Sequence, residues 1–262
     1  MKTREKLVLI DAHAVIHRAY HALPAFTSPS GVPTGALYGL SAFLIKIIRE
    51  LKPDYIAACY DLPGPTFRNE MFRQYKAQRA KPDDDLIAQL ISSRDVFRAF
   101  SVPIYDAPGF EADDIIGTIA ETQSPKAKGQ NLQIVIASGD MDTLQLVAGD
   151  DVVVYTLKKG INDTIIYDEK AVKERFGFGP ELLTDYKGLR GDPSDNIPGV
   201  KGVGEKTATE LVKNYGSIEN IFANINNLKS KVLKLLYGEE EEAIFSKIVG
   251  TIRKAAPIHF EL

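Results

Sequence analysis

Three short apolar runs in this chain each end on an acid. LVLI runs into Asp11, YIAACY into Asp61, and LQIVIASG into Asp140 and, beyond Met141, Asp142. Each run has the length and composition of a buried strand. Between them lie segments of helical period. GALYGLSAFLIKIIREL carries apolar residues at Leu37, Leu40, Leu44, Ile47, Ile48 and Leu51, and DDLIAQLISSRDVFRAF is a second such stretch. Strands alternating with helices predict an α/β fold whose central sheet, mainly parallel, is flanked by helices on both faces. In open sheets of this kind ligands bind beyond the carboxyl ends of the strands. The pattern therefore sends Asp11, Asp61, Asp140 and Asp142 to one rim.

A fourth acidic group can reach that rim. GFEADDIIGTIA places Glu111, Asp113 and Asp114 at the mouth of an apolar helix, after the expected strand VPIYDA. Acids in a first helical turn suit the helix dipole, and Asp at a strand end suits turns and caps. Those preferences account for one or two such residues rather than for four coincident groups. Two unit charges about 4 Å apart repel by roughly 4 kcal/mol at an intermediate effective dielectric. Buried carboxylates need a counter-charge, and hard divalent cations, Mg²⁺ above all, take oxygen ligands. No His/Cys cluster competes for a softer metal. His13, His17 and His21 are spaced four apart, but Pro24 and the loop after it argue against a long helix there.

Further along, KGLRGDPSDNIPGVKGVGEKTATELVKNYG sets Asp192 and Asp195 around Pro193, the pattern of a first helical turn. GVKGVGEKTA then gives glycine-rich turns opening the helix EKTATELVKNYG. Such turns allow close backbone approach, and a helix N-terminus offers N–H groups to a phosphate. Lys201 and Lys206 add charge. The net charge of −3 hides a basic segment from Arg68 to Lys81, with Arg68, Arg73, Lys76, Arg79 and Lys81 against the single acid Glu70. Glu239 to Glu242 reads as a solvated helix start.

LVLIDAHAVIHRAYHAL, PTGALYGL, TFRNEMFRQYKAQR, GFEADDIIGTIA, SGDMDTLQLV and GDPSDNIPGVKGVGEKTA together resemble the 5′-nuclease (flap endonuclease) superfamily, and within it the N-terminal 5′-3′ exonuclease domain of bacterial DNA polymerase I. The resemblance runs almost end to end. It implies a two-metal site holding Mg²⁺ or Mn²⁺, with Asp11, Asp61, Glu111 and Asp113 at one ion and Asp140, Asp142, Asp192 and Asp195 at the second; Asp114 is the ninth matching acid. Of 35 acidic residues nine belong to this set, so the remaining 26 stand against 32 basic ones. The resemblance also implies a helical arch at about 66–95 that passes single-stranded 5′ ends. In it Tyr75 stacks on a base, Lys76 and Arg79 contact the scissile phosphate, and Arg68, Arg73 and Lys81 add charge. Gly199, Lys201, Gly202, Gly204, Lys206 and Thr207 match a helix-turn-helix-like module that grips duplex backbone and holds K⁺ through carbonyls. Two positions depart from the bacterial pattern: Ala12 where Gly is usual, and Met141 where Lys is common.

The expected division is a nuclease α/β domain over 1–178 and, over 179–262, a helical duplex-binding region with a C-terminal tail packing on the core. The expected activity is structure-specific 5′-3′ exonuclease and 5′-flap endonuclease cleavage of DNA, leaving 5′-phosphates, in primer removal and repair. Asp61 and Asp113, with Lys76 and Arg79, carry the catalytic roles. The partners are DNA with 5′ flaps, nicks or single-stranded 5′ ends, and a DNA polymerase in cis or in trans; a monomer is expected. The match stops at HFEL without a polymerase region, which fits a stand-alone nuclease or an excised domain. Two rivals are a catalytically inactive branched-DNA binding module and a ribonuclease of a related toxin-like fold. Single Cys59 reads as a core residue in a reducing compartment, and no apolar run is long enough to span a bilayer. The charged MKTREK opening followed by only LVLI does not make a signal peptide. A cytoplasmic, nucleoid-associated protein is the expectation.

Overall fold

The computed structural model describes residues 4–130, 132–159 and 163–262, so the first three residues of the MKTREK opening lie outside the described residues. In chain order the elements are β1 (Glu5–Asp11), α1 (Ala12–Ala22), α2 (Gly35–Leu51), β2 (Tyr55–Cys59), α3 (Phe67–Met71), α4 (Asp84–Ala99), β3 (Ile104–Tyr105), α5 (Ala112–Gln130), β4 (Leu132–Ala137), β5 (Val152–Lys159) and β6 (Asp163–Tyr167). They continue with α6 (Glu169–Phe176), α7 (Leu183–Arg190), α8 (Glu205–Tyr215), α9 (Ile218–Ala223), α10 (Ser230–Leu236) and α11 (Glu240–Gly250). Two compact units result. One takes the chain up to Gly64, Lys81–Asp168 and Arg253–Leu262; the other takes Pro65–Ala80 and Glu169–Ile252.

The first unit holds the sheet. Its strands lie in the order β3-β2-β1-β4-β5-β6. All neighbours are parallel except β5 and β6, where a bulge between Leu157 and Lys159 shifts the register. Asp11 pairs with Cys59, Cys59 with Tyr105, and Ile10 with Ala137, so four strand ends stop level with one another. The central runs are fully buried because both faces of a parallel sheet are covered. Helix α2 follows its apolar period: Leu40, Phe43, Leu44, Ile47 and Leu51 enter the core beside Val8, Ile10 and Val135. Tyr60 and Phe97 meet edge to face in the same core, and the Tyr60 hydroxyl lies 2.6 Å from the Ser93 hydroxyl. Cys59 is buried, as read.

Three local expectations differ. The three histidines do lie on one helix, α1, which ends at Ala22 with Leu23 as its cap, so Pro24 falls outside it. Their rings follow one another along the helix at 6.5 and 6.4 Å. The strand expected over VPIYDA is only Ile104–Tyr105. Residues 66–95, expected as one helical arch, fall into both units: α3 and the turns after it belong to the second, while α4 buries Leu86 and Phe97 in the first unit's core.

The second unit is helical. Leu189, Ala208, Leu211, Val212, Ile218, Ile221, Leu236 and Ala243 form its core. Lys247 on α11 reaches Asp185 on α7 at 2.6 Å and Glu219 on α9 at 2.9 Å, tying three helices together. Asp192 and Asp195 do not open a helix. They sit in a turn closed by a bridge between Asp192 and Ile197, with Asn196 in left-handed backbone at φ 60. Gly191 and Gly199 pinch the base of this turn. A Cβ on Gly199 would lie 2.2 Å from the Gly191 amide nitrogen, and both glycines have positive φ. Glu240, Glu241 and Glu242 occupy the first turn of α11, the helix start expected from the acidic block.

Candidate metal centre and nucleic-acid interface

The level ends of β1, β2, β3 and β4 dictate the site in the first unit. Asp11 is the last residue of β1 and also caps α1. Its Oδ1 accepts from the Ala14 amide at 3.0 Å, and its Oδ2 accepts from the Ser138 hydroxyl at 2.7 Å. Ser138 in turn accepts from the Asp140 amide at 2.9 Å, and Asp140 Oδ1 accepts from the Asp142 amide at 2.8 Å. Asp61, just beyond β2, accepts from the Ala112 amide at 2.6 Å, which fixes the start of α5 against it. The His13 Nδ1 stands 3.6 Å from Asp61 Oδ2 and accepts from the Asp61 amide at 3.2 Å. Capping and clustering are thus not competing explanations. The same carboxylates do both.

Asp113 is half-buried; its Oδ1 is buried and meets no hydrogen-bond donor among the described residues. Desolvation pushes its carboxyl well above the ordinary carboxylate range, and the charges of Asp140, Asp11, Asp142 and Glu111 push it further. Asp11 is raised to about 7. Burial is the largest cause; the Ala14 amide opposes it, and Asp61 and Asp140 add to it. The cluster is therefore short of positive charge at its centre, and the orphaned Asp113 oxygen points to where a cation belongs. An all-oxygen donor set fits Mg²⁺ or Mn²⁺ better than a softer ion.

Asp114 takes a different place from its neighbours. It is 0% exposed, and its oxygens accept from the amides of Glu111 at 3.0 Å and Arg253 at 2.8 Å. Through these bonds it ties the entrance of α5 to the tail. Ser138 is the residue the sequence did not single out. It lies inside the quoted SGD run, but its bridging of Asp11 and Asp140 depends on two strands being neighbours, which no local pattern reports.

In the second unit the two remaining acids have partners. Asp192 takes the Lys187 ammonium at 2.9 Å and the Ser194 amide and hydroxyl at 2.9 and 2.6 Å. Burial raises its pKa, but Lys187 and Ser194 outweigh this and hold it down to about 2. Asp195 pairs with Arg79 and accepts from the Tyr75 hydroxyl at 3.2 Å.

Three of the residues expected to contact DNA are buried. Tyr75 is 4% exposed, packed with Ile197, Val249, Phe72 and Phe245, so its ring face is not offered to a base. Arg68 is 3% exposed and donates to the carbonyls of Val249 and Thr251, each at 3.1 Å, with its guanidinium over Phe67 at 4.5 Å. It caps the C-terminal end of α11. Arg68→Ala is expected to lower the unfolding free energy by about 2–4 kcal/mol in urea titration, with DNA affinity per folded molecule unchanged. Gly199 is buried against Gly191 and serves packing. Arg73, Arg79, Lys81, Lys201, Gly202, Gly204 and Lys206 are exposed, while Lys76 and Thr207 are half-buried. Gly204 caps α8 with its backbone, leaving that helix N-terminus without a side-chain cap.

Residues 6–177 match the family described as 5′-3′ exonuclease, N-terminal resolvase-like domain, and residues 178–262 match 5′-3′ exonuclease, C-terminal SAM fold. DNA polymerase I of Bacillus caldotenax is 41% identical over 260 residues, covering 99% of this chain and 29% of the polymerase. DNA polymerase I of Bacillus subtilis is 40% identical over 259 residues, covering 98% and 29%. The chain thus spans under a third of the length of these relatives. Among solved structures, the T5 5′-exonuclease with bound divalent metal ions (zinc) superposes with a TM-score of 0.73 at 21% identity, covering 94% of this chain and 89% of that one. The catalytic core of Rad2 in complex with DNA substrate gives 0.59 at 17% identity, covering 96% and 80%. These two establish likeness of fold. With both of its halves matched by the family's two parts, the chain belongs to the 5′-3′ exonuclease family.

Proposed function

We propose that this chain is a divalent-metal-dependent 5′-3′ exonuclease and 5′-flap endonuclease that hydrolyses DNA phosphodiesters to 5′-phosphate products, in primer removal and repair. Membership of the 5′-3′ exonuclease family makes it a nuclease. The observation that carries the metal dependence is the buried, donorless Asp113 oxygen among Asp11, Asp61, Asp140 and Asp142. When bound, Mg²⁺ or Mn²⁺ supplies Lewis-acid stabilisation of charge on the phosphate and acidifies a coordinated water. Asp11, Asp61, Glu111 and Asp113 hold the ion, with Asp140 and Asp142 beside them. Ser138 and the Ala14 amide keep the Asp11 carboxylate in place and the Ala112 amide keeps that of Asp61, with no ion needed to do so. Lys76 and Arg79 meet the charge that develops on the scissile phosphate. Lys201, Lys206 and the open N-terminus of α8 grip duplex backbone, which positions without reading sequence, and carbonyls of the 199–204 turns take K⁺.

The relatives are polymerases, so a DNA polymerase, in cis or in trans, is the partner we infer, and the bacterial cytoplasm the setting. No helix among the described residues is long and apolar enough to cross a membrane. A 5′-labelled flap duplex tests the reading. Cleavage at or near the junction is expected with Mg²⁺ and none in EDTA. Tight binding without cleavage, in Mg²⁺ and Mn²⁺ alike, would move the function to that of a branched-DNA binding module.

A further inference from the structure

After α3 the chain from Phe72 to Ala80 forms only turns, yet it carries Lys76 and Arg79. Its own bonds are local, such as Ala77 N–H to Gln74 O at 3.1 Å and Arg79 N–H to Lys76 O at 3.1 Å. Bonds of that kind do not fix where a segment stands. The 193–196 turn, in the same unit, does. The Asn196 side-chain amide donates to Gln74 O at 2.7 Å, the Lys76 amide to Asp195 O at 2.9 Å, and Arg79 Nε to Ser194 O at 3.3 Å. Gln78 also donates to Pro193 O. Lys76 itself has a left-handed backbone, φ 54, which an L-residue with a long side chain adopts only when its surroundings hold it there. Asn196, at φ 60, is a residue type that tolerates this conformation and can turn its amide back on the main chain.

We propose that Asn196 is a positioning residue for Lys76 and Arg79, acting through the Gln74 carbonyl as one jaw of a clasp made by the 193–196 turn. The proposal rests on the reading above, in which those two cations meet the substrate phosphate. Asn196 carries no charge, and its side chain donates to main chain only one turn before Lys76. Its role is to hold the basic segment in one place, so that two flexible cations arrive already arranged.

Two substitutions separate this from a structural role. Asn196→Asp keeps size and left-handed tolerance but turns an oxygen toward the Gln74 carbonyl. Asn196→Gly keeps the backbone freedom and removes the donor. Single-turnover cleavage of the flap duplex at saturating enzyme and Mg²⁺ is the readout, alongside Kd in EDTA and the thermal midpoint. Both variants are expected to cleave about 10- to 100-fold more slowly at saturation, the scale of a misplacement near 1 Å. Kd should stay within about threefold and the reacting fraction should be unchanged. In a Lys76→Ala/Arg79→Ala background Asn196→Asp should cost little more, since its effect passes through those side chains. A wild-type rate at saturation, a loss confined to the reacting fraction, or a full additive loss in that background would each overturn the proposal. If the unsubstituted chain itself fails to cleave with Mg²⁺, the nuclease reading falls and this proposal falls with it; cleavage by the unsubstituted chain leaves the variants to judge the clasp alone.

Discussion

Asp113→Asn is expected to abolish cleavage of the flap duplex while making the metal-free protein more stable. The two effects have one cause. The surroundings of Asp113 disfavour its ionised form, with one oxygen buried and donorless and four like charges acting on it. Asparagine fills the same space without the charge. In EDTA the thermal midpoint should therefore rise by a few degrees, since about 1 kcal/mol moves a protein of this size by roughly 2–4 °C. The same substitution removes a ligand from the place where a cation belongs. A loss of at least about 10³-fold in the cleavage rate is expected, the scale seen when a group serving transition-state charge is deleted. Binding of the flap duplex in EDTA should be kept. A variant that cleaves at the wild-type rate across a Mg²⁺ titration would remove Asp113 from the site. A lowered midpoint in EDTA would show the carboxylate to be a structural prop instead.

The second large effect is a dependence of stability on pH that runs opposite to ordinary acid denaturation. Asp11 binds its proton more tightly folded, at about 7, than its unfolded value near 3.8. Its contribution is fully present below the unfolded pKa and is lost as pH rises through the folded one. Asp113 acts in the same direction. In EDTA, then, stability should fall between about pH 4 and pH 7, by something on the order of 4 kcal/mol for a shift of this size. Asp192 and Glu219, both held to about 2, contribute with the opposite sign and lose their stabilisation only as pH falls below 4. Adding Mg²⁺ at pH 7.5 should recover a large part of the loss, because an ion bound only by the folded cluster adds about 2.7 kcal/mol at a hundredfold excess over its Kd. Urea titrations at pH 4.5, 6.0 and 7.5, with and without Mg²⁺, measure this. Flat or rising stability in EDTA, or the same slope in Asp11→Asn/Asp113→Asn, would refute the account.

The first unit's acids were legible because two periodicities carried them. Apolar runs of strand length place their final residues at strand ends, and parallel pairing sets those ends level. The DXXD spacing around Pro193 misled for a local reason: Pro at a first helical position is common, but Asn196 in left-handed backbone turns the chain back instead. Pro24 misled in the opposite way, since it stands just outside the helix it was taken to prevent. Arg68 and Tyr75 were out of reach of any local pattern. A basic residue beside aromatics reads as a surface for nucleic acid, yet the partners that bury them are 181 and 120 residues away in sequence. Asp114 is similar: the amide that engages it comes from Arg253, 139 residues later.

That last bond bears on the order in which the protein is made. The chain passes between its two units four times, and the sheet unit is closed by Arg253–Leu262. The Arg253 amide meets Asp114 in the first turn of α5, and the Ala256 amide meets Thr118 at 2.9 Å one turn further along. All six strands have left the ribosome before either donor has been translated. The helix that presents Asp113 therefore waits without these two partners while about 120 further residues are synthesised. A message broken between codons 168 and 253 yields Asp11, Asp61, Glu111, Asp113, Asp140 and Asp142 and still leaves α5 without the Arg253 and Ala256 amides that engage it.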